Sequence, residues 1–327
     1  MLSKEIQSDR NRKAILNSFK AISDETRIRI INILSFGAFN VNEITEILEM
    51  GQSRVSRHLK ILTDANLLKS EREGTWVYYS LQDRLDFSFY KELNEFILSY
   101  KEDLPFREED QKKVSQVLKS RDDKSSNYFN KIGKNWERIQ QEVLNPVLYR
   151  NQIDSFLPDK LNTILDLGCG PGGLFPYLLK KSKTVIGVDS SQKMLEAAKL
   201  NYAKNKNVKL FEAPLENLPF KEASADAVVA SMVLHHISNP PLMLQEVWRV
   251  LKNKGVLCLV DLKKHSNEFM RDQFADLWLG FDMELLANWL SSAGFILDQT
   301  SEMKADSFSI LTIKAIKKGG QNVRSSN

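Results

Sequence analysis

Two short stretches carry residue types that could do chemistry. The first is Ile164-Leu165-Asp166-Leu167-Gly168-Cys169-Gly170-Pro171-Gly172, an apolar run ending in three closely spaced glycines. Glycine lacks a Cβ, so such a loop turns sharply and lets backbone lie against a ligand. Asp189 follows Gly168 by about twenty residues, after Val185-Ile186-Gly187-Val188. That is the spacing between a nucleotide-binding glycine loop and the carboxylate that takes ribose hydroxyls. The second is Gln52-Ser53-Arg54-Val55-Ser56-Arg57-His58-Leu59-Lys60, with three cations and no acid between Met50 and Thr63. Arginine pairs bidentately with guanine and glutamine with adenine. Both stretches on one chain would link a small molecule to DNA.

The elements that must position them follow from periodicity. From Arg12 to Leu81 the pattern is helix, helix, short helix, helix, hairpin. Asp24 is placed to cap a helix carrying Ile28, Ile31 and Leu34, and Asn42 to cap Glu43–Glu49. Beyond Gly51, Val55, Leu59 and Leu62 recur at i, i+4, i+7 and make one buried face. Arg54, Arg57 and Lys60 then point outward. Leu68 to Leu81 reads as a hairpin with Gly74 at its turn, so the segment is a winged helix-turn-helix. Residues 86–100 read as a further helix whose stripe is Phe89, Leu93, Phe96 and Tyr100. That stripe could pack on its own domain; with Ile15, Phe19 and Ile22 it reads better as a dimer seam, because so small a domain cannot bury both alone.

Residues 105–127 are highly charged and read as a helical linker broken by Pro105. Tyr128-Phe129, Ile132, Trp136 and Ile139 recur at helical spacing and open a second domain. Apolar runs near 161–167, 184–188, 208–211, 226–231, 255–261, 295–302 and 307–316 then alternate with helical patterns. That alternation indicates an α/β fold with a seven-stranded, mainly parallel Rossmann-like sheet. The last two runs are close enough for a hairpin, so the last strand is expected to be antiparallel, at an edge. The expected boundaries are 1–104 for the winged helix, 105–127 for the linker, 128–317 for the α/β domain and 318–327 for a disordered tail.

Composition narrows the classes. The chain has 327 residues and a net charge of +4, yet residues 1–100 hold 14 basic and 14 acidic side chains. DNA binding therefore rests on where charge is segregated, not on its total. No apolar run approaches the roughly 18–20 residues that span a bilayer. Met1 to Lys13 is polar and does not read as a signal peptide, so a cytoplasmic protein with no membrane partner is expected. Cys169 and Cys258 are the two cysteines, too few for a disulfide framework or a thiolate metal site.

The generic glycine-loop geometry suits either NAD or S-adenosylmethionine. The wording of the motifs distinguishes them. Leu165–Gly172, Gly187-Val188-Asp189-Ser190-Ser191 with Met194, Leu218-Pro219-Phe220, and Val233-Leu234-His235-His236 followed by Glu246–Lys252 closely resemble class I S-adenosylmethionine-dependent methyltransferases. The resemblance runs from about Tyr128 to Ile316. It implies a site for S-adenosylmethionine or S-adenosylhomocysteine at Asp166, Gly168, Cys169, Gly170, Gly172, Asp189, Ser190, Met194, Leu215 and Ser231. In it the loop takes the methionine end, Asp189 the ribose and Met194 the adenine face. One departure stands out. The family has Gly-Asp-Ala before its Glu-x-Leu-Pro-Phe run, and here those positions are Ala213-Pro214-Leu215. Pro214 offers neither a side-chain acceptor nor an N–H, which leaves the N–H of Leu215 for the adenine ring. No catalytic residue is assigned: methyl transfer can rest largely on positioning, and His235 and His236 read as packing or backbone-positioning residues.

Residues 21–81 resemble the ArsR/SmtB winged-helix repressors, through Ala21–Ile30, Val55–Leu62 and Glu73–Tyr79. The resemblance implies that Gln52, Ser53, Arg54, Ser56 and Arg57 face the major groove. Lys60 is expected to meet phosphate, and Arg72 phosphate or the minor groove. The Cys-x-Cys metal pair of that family is Asn40 and Asn42 here, poor ligands for soft metals, so no metal is expected. His58 reads as a partly buried structural histidine. Leu277–Phe281, Trp289-Leu290 and Ala293-Gly294-Phe295 further resemble a fusion group of ArsR-type regulators carrying a methyltransferase-like domain, some members of which respond to methionine-cycle intermediates. The resulting expectation is a homodimeric repressor of a palindromic double-stranded DNA operator with an adenosyl effector. The alternative is an active methyltransferase with an autoregulatory DNA-binding domain.

Overall fold

The computed structural model describes residues 2–73, 76–82, 89–104, 106–133, 144–305 and 307–319. Gly74, Pro105, Trp136, Ile139, the start of the 86–100 helix and the tail from residue 320 lie outside them. The chain forms two compact units that divide between Ser120 and Arg121.

The first unit holds α1 (Leu2–Ile22), α2 (Glu25–Leu34), β1 (Phe39–Asn40), α3 (Val41–Leu48), α4 (Gln52–Asp64), β2 (Leu68–Glu73), β3 (Trp76–Leu81) and α5 (Phe89–Ser99). It also holds the first part of α6 (Arg107–Ile132). Asp24 caps α2 as expected, accepting the Arg27 N–H at 3.1 Å. The cap of α3 is Asn40 rather than Asn42. Asn40 ends β1 in an extended conformation, and its side chain accepts from the N–H groups of Asn42 and Glu43. Glu43 accepts back from the Asn40 N–H at 2.9 Å. This reciprocal box satisfies donors that a helix start leaves open, and Asn42 already lies inside the first turn. Val55, Leu59 and Leu62 of α4 are fully buried against Ile30, Ile31, Phe39, Ile44 and Ile47. The three strands pair antiparallel in the order β1-β3-β2.

On α5 the stripe expected from spacing is rotated. Tyr90, Leu93 and Ile97 enter the core, whereas Phe96 and Tyr100 stay exposed at 61% and 56%. Tyr90, Leu93 and Ile97 follow i, i+3, i+7, a face that helical spacing permits equally with the one through Phe96.

The second unit holds the end of α6, then α7 (Pro146–Phe156), β4 (Leu161–Leu167), α8 (Phe175–Lys181), β5 (Ser182–Asp189) and α9 (Gln192–Tyr202). There follow β6 (Val208–Glu212), β7 (Ala225–Ser231), a 3-10 turn (Leu234–His236), α10 (Pro240–Val250) and β8 (Leu251–Leu262). It closes with α11 (Phe269–Phe274), α12 (Met283–Ser292), β9 (Phe295–Ala305) and β10 (Phe308–Lys317). Seven strands form one sheet in the order β6-β5-β4-β7-β8-β10-β9. β4 to β8 pair with one another in parallel, and the last strand, β10, is antiparallel to both β8 and β9.

The sequence reading placed the antiparallel strand at an edge. Instead β10 is inserted beside β8, and β9 forms the edge. The side chains explain the order. Ile310, Leu311, Ile313 and Ala315 of β10 are buried on both faces, while β9 is mostly polar and accessible. A polar strand belongs at an edge, where pairing with other chains is discouraged. Among the described residues no helix is long and apolar enough to cross a membrane.

Candidate functional site

In this sheet the chain leaves β4 toward β5 and β6, then returns to its other side as β7. The reversal opens a crevice at the C-terminal ends of β4 and β7, where open α/β sheets bind ligands. A cleft of about 1060 Å³, its open mouth included, occupies that place. Asp166, Gly168, Cys169, Gly170, Asp189, Ser190, Met194, Leu215 and Ser231 all line it. The sequence reading therefore named residues from four separate stretches that the fold gathers around one cavity.

The glycine loop shows why its residues are small. Gly168, Gly170 and Gly172 all adopt positive φ, at 67°, 52° and 84°. A Cβ on Gly168 would collide with the Val233 side chain. The N–H groups of Gly168 and Cys169 both donate to the Val188 carbonyl, which ties the loop to β5. Gly172 is placed differently from its companions. It is not among the cleft-lining residues; the space of its missing Cβ is taken by the rings of Phe175 and Tyr202. Gly173 lines the cleft next to Arg150.

Asp189 is held in place by the backbone. One carboxylate oxygen accepts from Gly170 N–H at 2.9 Å and the other from Ser191 N–H at 2.8 Å. A carboxylate has about four lone-pair sites, so capacity for a ribose hydroxyl donor remains. Burial lifts the Asp189 carboxyl to about 6 against the pull of the Ser191, Gly170 and Ser190 N–H groups. Asp166 is 1% exposed. Burial, reinforced by the charge of Asp189, pushes it up to about 8.

Three polar atoms in this region are buried without a hydrogen-bond partner: Asp166 Oδ2, Ser231 Oγ and Arg150 Nε. Each belongs to a cleft-lining residue. A buried polar group left unmatched costs about 1–3 kcal/mol, and such atoms in a cavity mark places where a ligand supplies the partner. An adenosyl amino acid fits them: its ammonium suits Asp166, its carboxylate suits Arg150, and its ribose suits Asp189.

Sequence reasoning missed part of the wall. Asp122, Ser125 and Phe129 of α6, Arg150 of α7, Glu216 and His236 also line the cleft. Burial, with the charge of Asp122 behind it, lifts Glu216 to about 7. His236 packs edge-on against Phe129 with ring centroids 4.7 Å apart. Burial and the neighbouring His235 hold its pKa well below the ordinary value. His235 faces inward, with Nδ1 2.6 Å from Asp261 Oδ1. Burial opposes charge on His235, but Asp261 and Asp276 outweigh it and raise its pKa to about 9. Both cysteines are buried free thiols; burial pushes Cys169 well up and Cys258 to about 12.

In the first unit, α4 begins directly after Gly51 and divides cleanly. Gln52, Ser53, Arg54, Ser56, Arg57 and Lys60 are exposed, opposite the buried Val55 and Leu59. Lys60 is 3.2 Å from Asp64, an exposed pair one turn on that the acid-free window just excluded. Arg72 is exposed on β2. His58 is 8% exposed, 3.6 Å from Asp24, and burial lowers its pKa. It is a structural ring behind the basic face.

Comparison with known proteins agrees with both halves. Residues 24–70 match the family model of bacterial regulatory proteins of the arsR family, and residues 165–259 match that of a methyltransferase domain. The arsenical resistance operon repressor of Bacillus subtilis is 48% identical over 66 residues, 20% of this chain and 63% of the repressor. An uncharacterized methyltransferase of Synechocystis is 35% identical over 139 residues, 42% of this chain and 64% of that protein. The chain thus spans less than two thirds of the length of either relative. A chain from the complex of the Haloferax volcanii Trm112 methyltransferase activator with a methyltransferase shares the fold. It has a TM-score of 0.51 at 15% identity, covering 58% of this chain and 97% of that one. The chain thus joins a helix-turn-helix region that matches the arsR-family model to a domain of class I methyltransferase fold.

Proposed function

We propose that the chain is a cytoplasmic, homodimeric DNA-binding regulator, acting as a repressor, whose methyltransferase-like domain takes S-adenosylmethionine or S-adenosylhomocysteine as effector. The observation that carries the nucleoside half is the set of unpartnered buried atoms on Asp166, Ser231 and Arg150 around one cleft. The exposed, acid-free start of α4 supports the DNA half. Gln52, Ser53, Arg54, Ser56 and Arg57 read base edges, while Lys60 meets phosphate and Arg72 phosphate or the minor groove. Two copies of α4 would read a palindromic site. An effector can shift operator affinity only if it binds the two states of the dimer unequally.

The test is operator affinity measured with and without each adenosyl compound. Asp189→Ala is expected to abolish the ligand response and leave ligand-free operator binding intact. Arg57→Ala is expected to weaken operator binding and leave nucleoside binding intact. A response that survives Asp189→Ala removes the ribose assignment; full operator affinity in Arg57→Ala removes the groove orientation.

His236 on the cleft wall favours a second reading, in which the domain turns over. S-adenosylmethionine then supplies an electrophilic methyl group. His236 would border the acceptor, with Asp122 and Glu216 on the same cleft wall. Transfer of labelled methyl to a component of a cell extract would establish this reading.

A further inference from the structure

Three of the chain's four histidines, His235, His236 and His265, belong to the second unit. His235 and His236 follow β7 in the 3-10 turn, and Asp276 lies just after α11, forty residues away in sequence. The fold brings these three together. One ligating atom from each lies within 4.8 Å of the others, and all three residues are buried. Asp276 Oδ1 is 3.8 Å from His235 Nε2 and 3.7 Å from His236 Nδ1.

Hydrogen bonds among the three residues do not hold this arrangement together. Separations of 3.7–3.8 Å are too long for hydrogen bonds. Both carboxylate oxygens of Asp276 are buried and have no hydrogen-bond partner, at 3% residue exposure. A carboxylate taken this far from water requires a compensating cation or donors. The other side of His235 is already committed: Nδ1 meets Asp261 Oδ1 at 2.6 Å. Asp261 is itself fixed by the N–H groups of Leu234 and Leu262, at 2.9 and 2.7 Å. This is the support that metal-bound histidines receive, where a carboxylate on one ring nitrogen orients the other toward the ion. The competitor for His236 Nδ1 is the Ala275 carbonyl at 3.3 Å.

The geometry points to a binding site for one divalent transition-metal ion, of the Zn²⁺ type, held by His235 Nε2, His236 Nδ1 and the Asp276 carboxylate. Two imidazoles and a carboxylate suit zinc and its neighbours, whereas magnesium and calcium prefer oxygen alone. Tetrahedral zinc at about 2.0–2.1 Å from its ligands sets donor atoms about 3.3 Å apart, so the two separations to Asp276 need contract by only a few tenths of an ångström, and the two imidazole nitrogens close in from within 4.8 Å. Three protein ligands leave one position open. His236 belongs to both this cluster and the nucleoside cleft. The metal reading stands independently of nucleoside binding. It also revises the expectation of a metal-free chain, which considered the winged-helix positions and the cysteines.

The test uses the full chain without a histidine tag, stripped with a chelator and then titrated with Co²⁺ and with Zn²⁺. About one ion per chain is expected to survive desalting, and Co²⁺ is expected to show the visible absorption of a low-coordinate site that Zn²⁺ displaces. Asp276→Asn and His236→Gln should abolish retention. Asp261→Asn should weaken it about ten- to hundred-fold through His235, and His58→Gln should leave it unchanged. Wild-type protein that retains neither ion overturns the proposal, whatever the variants do. So does retention by folded Asp276→Asn and His236→Gln proteins equal to that of wild type. Calorimetry with S-adenosylhomocysteine on the same samples reports separately on the cleft.

Discussion

Asp166 shows how much one buried carboxyl can control. It is 1% exposed, one of its oxygens lacks a partner, and its pKa is raised to about 8. A folded-state pKa above the unfolded value means that the native protein binds the extra proton. Stability from this group is therefore full below about pH 4 and is lost as pH rises toward 8. A ligand ammonium beside Asp166 favours the ionised form and reverses that balance. Nucleoside affinity is accordingly expected to rise by up to about tenfold per unit between pH 5.5 and 7.5. Asp166→Asn should flatten that profile, weaken binding at pH 7.5 and raise the melting temperature of the ligand-free protein at pH 8. Calorimetry across pH and thermal unfolding measure the two effects. A pH-independent affinity in the wild type would remove Asp166 from the ligand's cationic group.

At the scale of elements, α6 is the segment the sequence disclosed least. Its buried positions in sequence order are Asp110, Val114, Val117, Arg121 and Ser125, a regular helical stripe. Three of the five are polar, so hydrophobic periodicity has little to register and the segment reads as a charged linker. The strands of the sheet were legible for the opposite reason. Ala227–Ala230 in β7 and Val256–Val260 in β8 are continuous apolar runs, and β4 ends in Ile164-Leu165-Asp166-Leu167, as strands buried on both faces read. The placement of β10 inside β9 was not legible, because the short β9–β10 hairpin fits either order and the long connection from β8 through α11 and α12 reaches either position. Asp110 offers a direct test of α6. Its carboxylate takes both Arg29 Nε and Nη2, at 2.8 and 2.7 Å, tying α6 to α2 within the first unit. Arg29 also lies 4.5 Å from the Phe106 ring centroid. Removing one partner of a buried ion pair strands the other, at a cost of about 3–5 kcal/mol. Asp110→Ala should destabilise the first unit by that order in denaturant unfolding, and Arg29→Met with Asp110→Leu should recover much of it. A loss under about 1 kcal/mol would mean that α6 is not anchored through this pair.

At the scale of the whole molecule, sequence motifs located the cleft because a glycine loop and an acid twenty residues on are local signals. They did not locate the His235, His236 and Asp276 cluster, whose members meet only after the chain has run through β8 and α11. Nor could spacing alone say which apolar side chains the first unit leaves open for the proposed second copy. On α1 and α5 the first unit leaves Leu16, Phe19, Phe96 and Tyr100 at 50–61% exposure. Burying a large apolar side chain contributes about 1.5–3 kcal/mol, so four on each copy are ample to drive association. Association has a consequence for DNA. Half-sites of a palindrome lie about 34 Å apart, and a single α4 reads only one of them. Phe96→Glu places a charge where the seam is expected and disturbs no buried neighbour's own packing. Sedimentation should then show a dimer for the wild type and a monomer for the variant at equal concentration. Operator affinity should fall at least a hundredfold in the variant while nucleoside affinity is unchanged. A Phe96→Glu protein that remains a dimer with full operator affinity would place the contact between copies on another surface and leave these four side chains unexplained.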